Sequence, residues 1–300
     1  MAEASVQGLY SQRFPISPPH LDPVCSQMEL EMTERVKLVI EDEIAYVTLN
    51  RPEKYNGLDM AMFDAIAATA KKLKKDTSIR AVILQGAGKV FCSGLDVKSV
   101  SANPVNFAKL LFKTGRKISN LAQDVGYLWR EVPAPVIAVT HGVCYGGGLQ
   151  IALGADFRYS TPDCEFSIME AKWGLIPDMS LTTTLSELMP IDKAKELAMT
   201  GRVISGVDAG NLGMVTHVSE KPLEDALSFI EELKEKSPDA VAGNKLLFNR
   251  AWQADDKTAL DWETRLQKKI IGRANQRTAV ARNTGKPERL SGCAAGSSAY

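Results

Sequence analysis

The 300-residue chain is poor in the features that tie a protein to metals, redox pairs or charged polymers. Its five cysteines, Cys25, Cys92, Cys144, Cys164 and Cys293, are odd in number, and no two have metal-site spacing. Such a set reads as reduced thiols of an intracellular compartment. The three histidines, His20, His141 and His217, are as scattered, so no metal is expected. Lys+Arg and Asp+Glu balance at 36 each, which removes the basic field that nucleic-acid binding uses. No apolar run spans a bilayer, and the N-terminus carries acidic Glu3 and no apolar signal core, so no secretory signal is expected. Neither a nucleic-acid partner nor membrane insertion is expected. The dinucleotide fingerprint GxGxxG and the phosphate loop GxxxxGK[ST] are missing, and His141 has no GxSxG nucleophile elbow beside it.

What remains is an ordinary globular composition, 45% hydrophobic and 24% charged. The length suits one large domain or a domain with an appendage. Residues 1–33 are rich in Pro, Ser and Gln without periodicity and are expected to form a disordered tail. Within it, Arg13-Phe14, five residues and His20-Leu21 resemble an N-terminal peroxisomal address, although Phe14 departs from the usual residue and three prolines oppose a helix.

From Val36 the pattern turns periodic. VKLVI and AYVTLN, separated by a polar DE, predict a hairpin. Asp59 is placed to cap a helix to about Lys75, with Met60, Phe63, Ile66, Ala67 and Leu73 at helical spacing. AVILQG (81–86) and PVIAVT (135–140) are continuous apolar runs, as buried parallel strands require. Residues 104–130 read as largely helical, a helix starts near Gly147, and FRYS (157–160), EFSI (165–168) and Val215–Val218 read as strands. Helices are expected at 192–200, 207–212, 223–236, 238–252 and 257–271. Alternating strands and helices followed by helices alone predict an α/β core with a helical C-terminal region. The boundaries are set at 34–222 for the core, 223–287 for the helical region and 288–300 for a flexible tail.

Three stretches carry chemistry. The loop Phe91-Cys92-Ser93-Gly94-Leu95-Asp96 and the segment Gly142–Gly148 each follow a buried strand, and the second opens a helix. Glycines there let a ligand approach backbone N–H groups, and a helix start offers unpaired donors. Two such amides converging on one point would make an oxyanion hole. Each loop alone also reads as an ordinary turn. The third stretch, FSIMEAKWGLIPD, sets Glu170 and Asp178 eight residues apart around an apolar segment. Apolar surroundings raise a carboxylate's pKa and suit it to take a proton from carbon. The plainer readings make Glu170 an ion-pair partner of Lys172 or another base, and Asp178 a Pro-Asp turn residue. Cys92 and Cys144 read as buried thiols, and Tyr145 and Trp173 as either acyl-pocket or core aromatics.

Together these stretches resemble the enoyl-CoA hydratase/isomerase, or crotonase, family. The resemblance runs through LNRPEKYNGLD (49–59), AVILQGAGKVFCSGLD (81–96), PAPVIAVTHGVCYGGGLQIALGADFRYS (133–160), FSIMEAKWGLIPD (166–178) and ELAMTGRVISGVDAGNLGMVTHV (196–218), and covers about residues 35–275. It implies a crotonase-like spiral of ββα units, C-terminal helices for oligomer packing, a homotrimer or homohexamer, and an acyl-CoA ligand whose CoA is part of the substrate, with no separate cofactor. It implies oxyanion amides at Leu95 and Gly147. It implies CoA and substrate contacts at Asn56, Gly57, Leu58, Ser93, Gly94, Asp96 and Gly146, with Lys54 and Lys89 near the CoA phosphates. Glu170 matches the family's later glutamate. The earlier acid position is Gln150, which can hold a water or a substrate carbonyl but takes no proton. One base is enough to move a double bond, so the resemblance implies an enoyl-CoA or dienoyl-CoA isomerase. Asp178 stands where dienoyl-CoA isomerases carry an aspartate. A hydratase and a non-catalytic CoA-binding scaffold are the alternatives, and the compartment is read as cytoplasmic, with peroxisome and mitochondrion as alternatives.

Overall fold

The structure is a computed structural model that describes residues 30–32, 35–113, 115 and 117–285. A short strand, β1 (Leu30–Met32), opens it, inside the segment expected to be a tail. The Arg13–Leu21 address lies outside the described residues. β2 (Val36–Glu41) and β3 (Ile44–Leu49) form the expected antiparallel hairpin. Its two turn residues, Asp42 and Glu43, both have left-handed φ, 49° and 62°. That matches the twist a two-residue hairpin needs, although Asn-Gly would adopt it with less strain.

α1 (Met60–Leu73) starts where Asp59 accepts a hydrogen bond from the Met62 N–H at 2.8 Å, and it buries Phe63, Ile66, Ala67 and Leu73. β4 (Ala81–Gly86) follows. Its side chains alternate between two cores. Val82 and Leu84 pack on the α1 side with Val47, while Ala81 and Ile83 join Ile44 and Ile137 on the other. Both faces are covered, which is why Ala81–Leu84 are all apolar. Three helices come next: α2 (Val97–Ser101), α3 (Pro104–Leu111) and α4 (Leu121–Tyr127). The helical stretch expected over 104–130 is thus broken between Leu111 and Leu121. Asn120 restarts it through a capping box with Gln123, and its Nδ2 donates back to Leu111 O at 3.1 Å.

The chain continues through β5 (Val136–Thr140), β6 (Val143–Tyr145), α5 (Gly147–Leu153), β7 (Phe157–Ser160) and β8 (Glu165–Ser167). Then come α6 (Leu181–Leu185), α7 (Ile191–Thr200), α8 (Gly206–Asn211) and β9 (His217–Val218), two residues shorter than the strand expected from Val215. The last elements are α9 (Pro222–Lys234), α10 (Pro238–Ala251), α11 (Asp256–Ile270) and α12 (Ala274–Asn283).

The main sheet runs β1-β2-β3-β4-β5-β7-β9, antiparallel through β3 and parallel beyond it. β6 and β8 form a separate parallel pair. The fold is therefore α/β with a mainly parallel sheet, as expected. One face of the sheet carries α1, α4 and α5. The other is closed by α9, whose Ala226 and Ile230 are fully buried against Ile83 and Tyr159. α9 is part of the core, although its sequence reads with the C-terminal helices.

Candidate active site

The two glycine-bearing loops meet. The Phe91 N–H donates to His141 O (2.9 Å), Cys92 N–H to Val143 O (3.0 Å) and Tyr145 N–H to Cys92 O (3.0 Å). Gly94 makes the closest approach. Its φ is +90°, and a Cβ there would lie 2.8 Å from the Tyr145 oxygen and 3.5 Å from the Gly147 nitrogen. The Asn56–Leu58 segment joins the same place, because Leu58 N–H donates to Gly94 O (2.9 Å) and Asp96 N–H to Leu58 O (3.0 Å). Leu95 and Gly147 thus come together on facing loops. Among the described residues neither of their N–H groups has an acceptor.

Glu170 enters from the end of β8. Gly146 N–H donates to Ser167 O (2.9 Å), and Ser167 Oγ donates to Gly201 O (2.9 Å), so the strand end is pinned on both sides. Gly146, at φ +49°, leaves room for the carboxylate: a Cβ there would sit 3.3 Å from Glu170 Oε1. The carboxylate makes no ion pair with Lys172. Its Oε1 accepts from Gln150 Nε2 at 2.7 Å, and its Oε2 is buried with no partner among the described residues. Burial raises its pKa; its own backbone N–H and the Gln150 hydrogen bond oppose that rise, and the charge of Asp178 adds to it. Asp178 is exposed, yet packing on one side of its carboxyl pushes its own pKa up. A cavity of about 290 Å³ opens beside it, with Pro177, Ser180, Gln123 and Tyr127 in the walls. A larger one of about 690 Å³, between β7, α9 and α10, contains none of the expected site residues.

Several expected ligand contacts are otherwise engaged. The Asn56 side chain is fully buried, accepts from Arg51 N–H (2.9 Å) and donates to Ala87 O, Val90 O and Phe91 O (2.9, 3.0 and 3.1 Å). It has nothing left for a substrate and instead shapes the loop. Asp96 caps α2 through Ser99 N–H (3.1 Å) and takes Arg51 Nη1 at 2.8 Å. Against partial desolvation, that guanidinium holds the Asp96 carboxyl below its ordinary pKa. Gln150 is engaged at both ends as well: its oxygen accepts from Met179 N–H at 2.8 Å, and the NH2 group that could hold a substrate carbonyl donates to Glu170 at 2.7 Å. Gly57 and Leu58 are buried in the same loop, while Ser93, Lys54 and Lys89 are exposed at its rim.

Sequence reasoning misses Arg51 and Met179. Arg51 lies inside LNRPEKYNGLD but bonds to residues up to 45 positions away. Met179 acts through its backbone, which no side-chain pattern reveals. Tyr145 donates through its hydroxyl to Glu165, and Trp173 is exposed, so neither is a core aromatic. Cys92 and Cys144 are fully buried thiols; burial pushes Cys92 to about 12 and Cys144 well up. They pack and do not attack. Among the described residues no three His, Cys, Asp or Glu side chains gather as metal ligands, and no helix is long and apolar enough to cross a membrane.

Comparison with known proteins places the chain in a family. A family model described as enoyl-CoA hydratase/isomerase matches residues 39–288. The peroxisomal Delta(3,5)-Delta(2,4)-dienoyl-CoA isomerase of Arabidopsis thaliana is 30% identical over 238 residues, covering 76% of this chain and 85% of that protein. The short-chain-enoyl-CoA hydratase of Clostridium acetobutylicum is 30% identical over 244 residues, covering 80% and 90%. The crystal structure of an enoyl-CoA hydratase from Mycobacterium smegmatis superposes with a TM-score of 0.75 at 27% identity, covering 85% of this chain and 98% of that one.

Proposed function

Because the chain belongs to the enoyl-CoA hydratase/isomerase family, we propose that within its range of isomerase and hydratase activities this enzyme shifts a double bond in an enoyl- or dienoyl-CoA. The Leu95 and Gly147 N–H groups hold the thioester oxygen, and Glu170 carries the proton. From a 3-enoyl thioester, Glu170 Oε2 takes a proton from C2. The electron pair left on C2 moves into the thioester carbonyl, giving a dienolate with its charge on the thioester oxygen and with C1=C2 conjugated to C3=C4. The same proton returns to C4, leaving a 2-enoyl thioester. Two unpaired amides are matched to that charge, and losing one such donor typically costs about 3–4 kcal/mol in the transition state. CoA travels with the substrate, and the step needs no other cofactor.

The observation that carries this reading is the pairing at the base. Glu170 is a half-buried carboxylate whose Oε2 is buried and unpartnered among the described residues, and the residue against it is the carboxamide Gln150. Water addition commonly employs a second carboxylate there. Purified protein given 3-hexenoyl-CoA and, separately, 2-hexenoyl-CoA should isomerise the first much faster than it hydrates the second. Fast hydration without isomerisation would sink the proposal.

A hydratase reading has one observation in its favour: the charge of Asp178 reaches Glu170, so a second carboxylate is at hand. Asp178→Asn separates the two, since it should abolish hydration if Asp178 activates water. We further propose a homotrimer or homohexamer packed through α10–α12, which expose Phe248, Trp252, Leu260, Ile271 and Val280. Light scattering on the eluting protein tests that, and a monomer at micromolar concentration would contradict it. The compartment is proposed as cytoplasmic, with the peroxisome of the plant relative's name and the mitochondrion as alternatives.

A further inference from the structure

Gln150 is 1% exposed on the first turn of α5 and is held at both ends. The Met179 N–H can only donate, so the Gln150 atom facing it at 2.8 Å is the carboxamide oxygen. That settles the other end: the NH2 group faces Glu170 Oε1 at 2.7 Å. A proton on Oε1 would then meet a donor head-on. Oε2 is buried, has no partner among the described residues, and is free of that conflict. We propose that Gln150 is a positioning residue for Glu170: by donating to Oε1 it makes Oε2 the one oxygen that takes and returns the proton. This deepens the isomerase reading and rests on it.

The consequence is specific to a shuttle. A single base must deliver the proton it removed to a second carbon and not to a neighbouring group. A carboxamide against the base has no proton-accepting site at the shared contact. A carboxylate in its place would stand within hydrogen-bond distance of Glu170, and two carboxylates that close share one proton. Two donors favour the ionised base, Glu170's own N–H and Gln150, and of these Gln150 is the side chain. Asp178 is the charged group that acts on Glu170, and it raises the pKa. Gly146 faces Glu170 with no side chain, and Lys172, on the same turn, lays its stem over Gly201. The Gln150 hydrogen bond is the interaction from another element that favours the ionised base.

The test reads Glu170 directly in the full chain without substrate. The infrared carboxyl band that Glu170→Gln removes is titrated in wild type, Gln150→Met and Gln150→Glu. Gln150→Met, which cannot donate, should raise the midpoint by about one pH unit, a tenfold change in proton affinity. Gln150→Glu keeps the Met179 hydrogen bond, so it serves even if the Met variant fails to fold. It should raise the midpoint further and add one titrating proton. Equal midpoints in the three proteins would overturn the proposal. With 3-hexenoyl-CoA, the acid limb of kcat/KM should move by the same amounts. In Gln150→Met, kcat should fall about 10-fold while KM stays within about twofold. If Glu170→Gln turns over normally, the isomerase reading fails. If Glu170→Gln is inactive and the Gln150 variants leave midpoint and acid limb unmoved, the Gln150 assignment alone fails.

Discussion

Two polar regions lie within a few residues of each other and are built on opposite principles. In the Asn56 loop the buried polar side chains have partners: Asn56 makes four hydrogen bonds, and Arg51 joins Gly57 O and Asp96 while lying 3.6 Å from Asp59. Across the loop, the Leu95 and Gly147 amides and Glu170 Oε2 are left without partners among the described residues. A buried polar group without a partner costs about 1–3 kcal/mol. The first region is therefore a frame, and the second is where the protein tolerates unmade hydrogen bonds because a substrate makes them. Mutations should separate stability from turnover along that line.

The largest effect falls on the unpaired side. Glu170→Gln should lower kcat about 1000-fold while CoA binding by calorimetry stays unchanged. On the satisfied side, Asn56→Ala should destabilise the fold by about 2–4 kcal/mol in urea unfolding, because several backbone carbonyls and an N–H lose their partner together. Similar turnover loss and no destabilisation would erase the distinction. Between the regions stands Gly94, whose φ of +90° and contact with Tyr145 O leave no room for a side chain. Gly94→Ala should lower kcat/KM about 100-fold by moving the Leu95 amide.

A smaller effect follows from the raised Glu170 pKa. The folded protein holds that proton more tightly than the unfolded chain does. Wild type thus loses stability as pH rises from the unfolded pKa through the folded one. Glu170→Gln escapes that loss, so its melting temperature at neutral pH should exceed wild type by about 2 °C, with the gap closing in acid. An unchanged gap across pH would remove burial as the cause. The smallest expected effect is none: iodoacetamide should leave the native protein's activity intact, since Cys92 and Cys144 are buried with raised pKa values.

How much of this is legible in the sequence depends on the range of the interaction. Period-3.6 spacing reveals α1, β-rich runs around a polar turn reveal β2 and β3, and continuous apolar runs reveal β4 and β5, because each signal lies in the element's own residues. β6 is hidden among glycines, and its pairing with β8 is a contact across about 20 residues that no local pattern encodes. The break between α3 and α4 depends on Asn120 and Gln123 capping each other, a weaker signal than the apolar residues around it. In the site, Glu170 and the Gly94 and Gly146–Gly148 glycines stand out by type. Gln150 reads only as a missing acid, because its hold on Glu170 depends on a backbone N–H 29 residues away. Asn56 and Asp96 read as ligand contacts for the same reason: the carbonyls and guanidinium that occupy them come from other segments.

The most direct test is a crystal structure with an unreactive 3-enoyl-CoA analogue bound. The thioester oxygen should lie about 2.7–3.2 Å from both the Leu95 and Gly147 nitrogens. Glu170 Oε2 should face C2 and C4 of the acyl chain, with Oε1 still on Gln150. A thioester oxygen held elsewhere, or Oε1 turned to the substrate, would contradict the account.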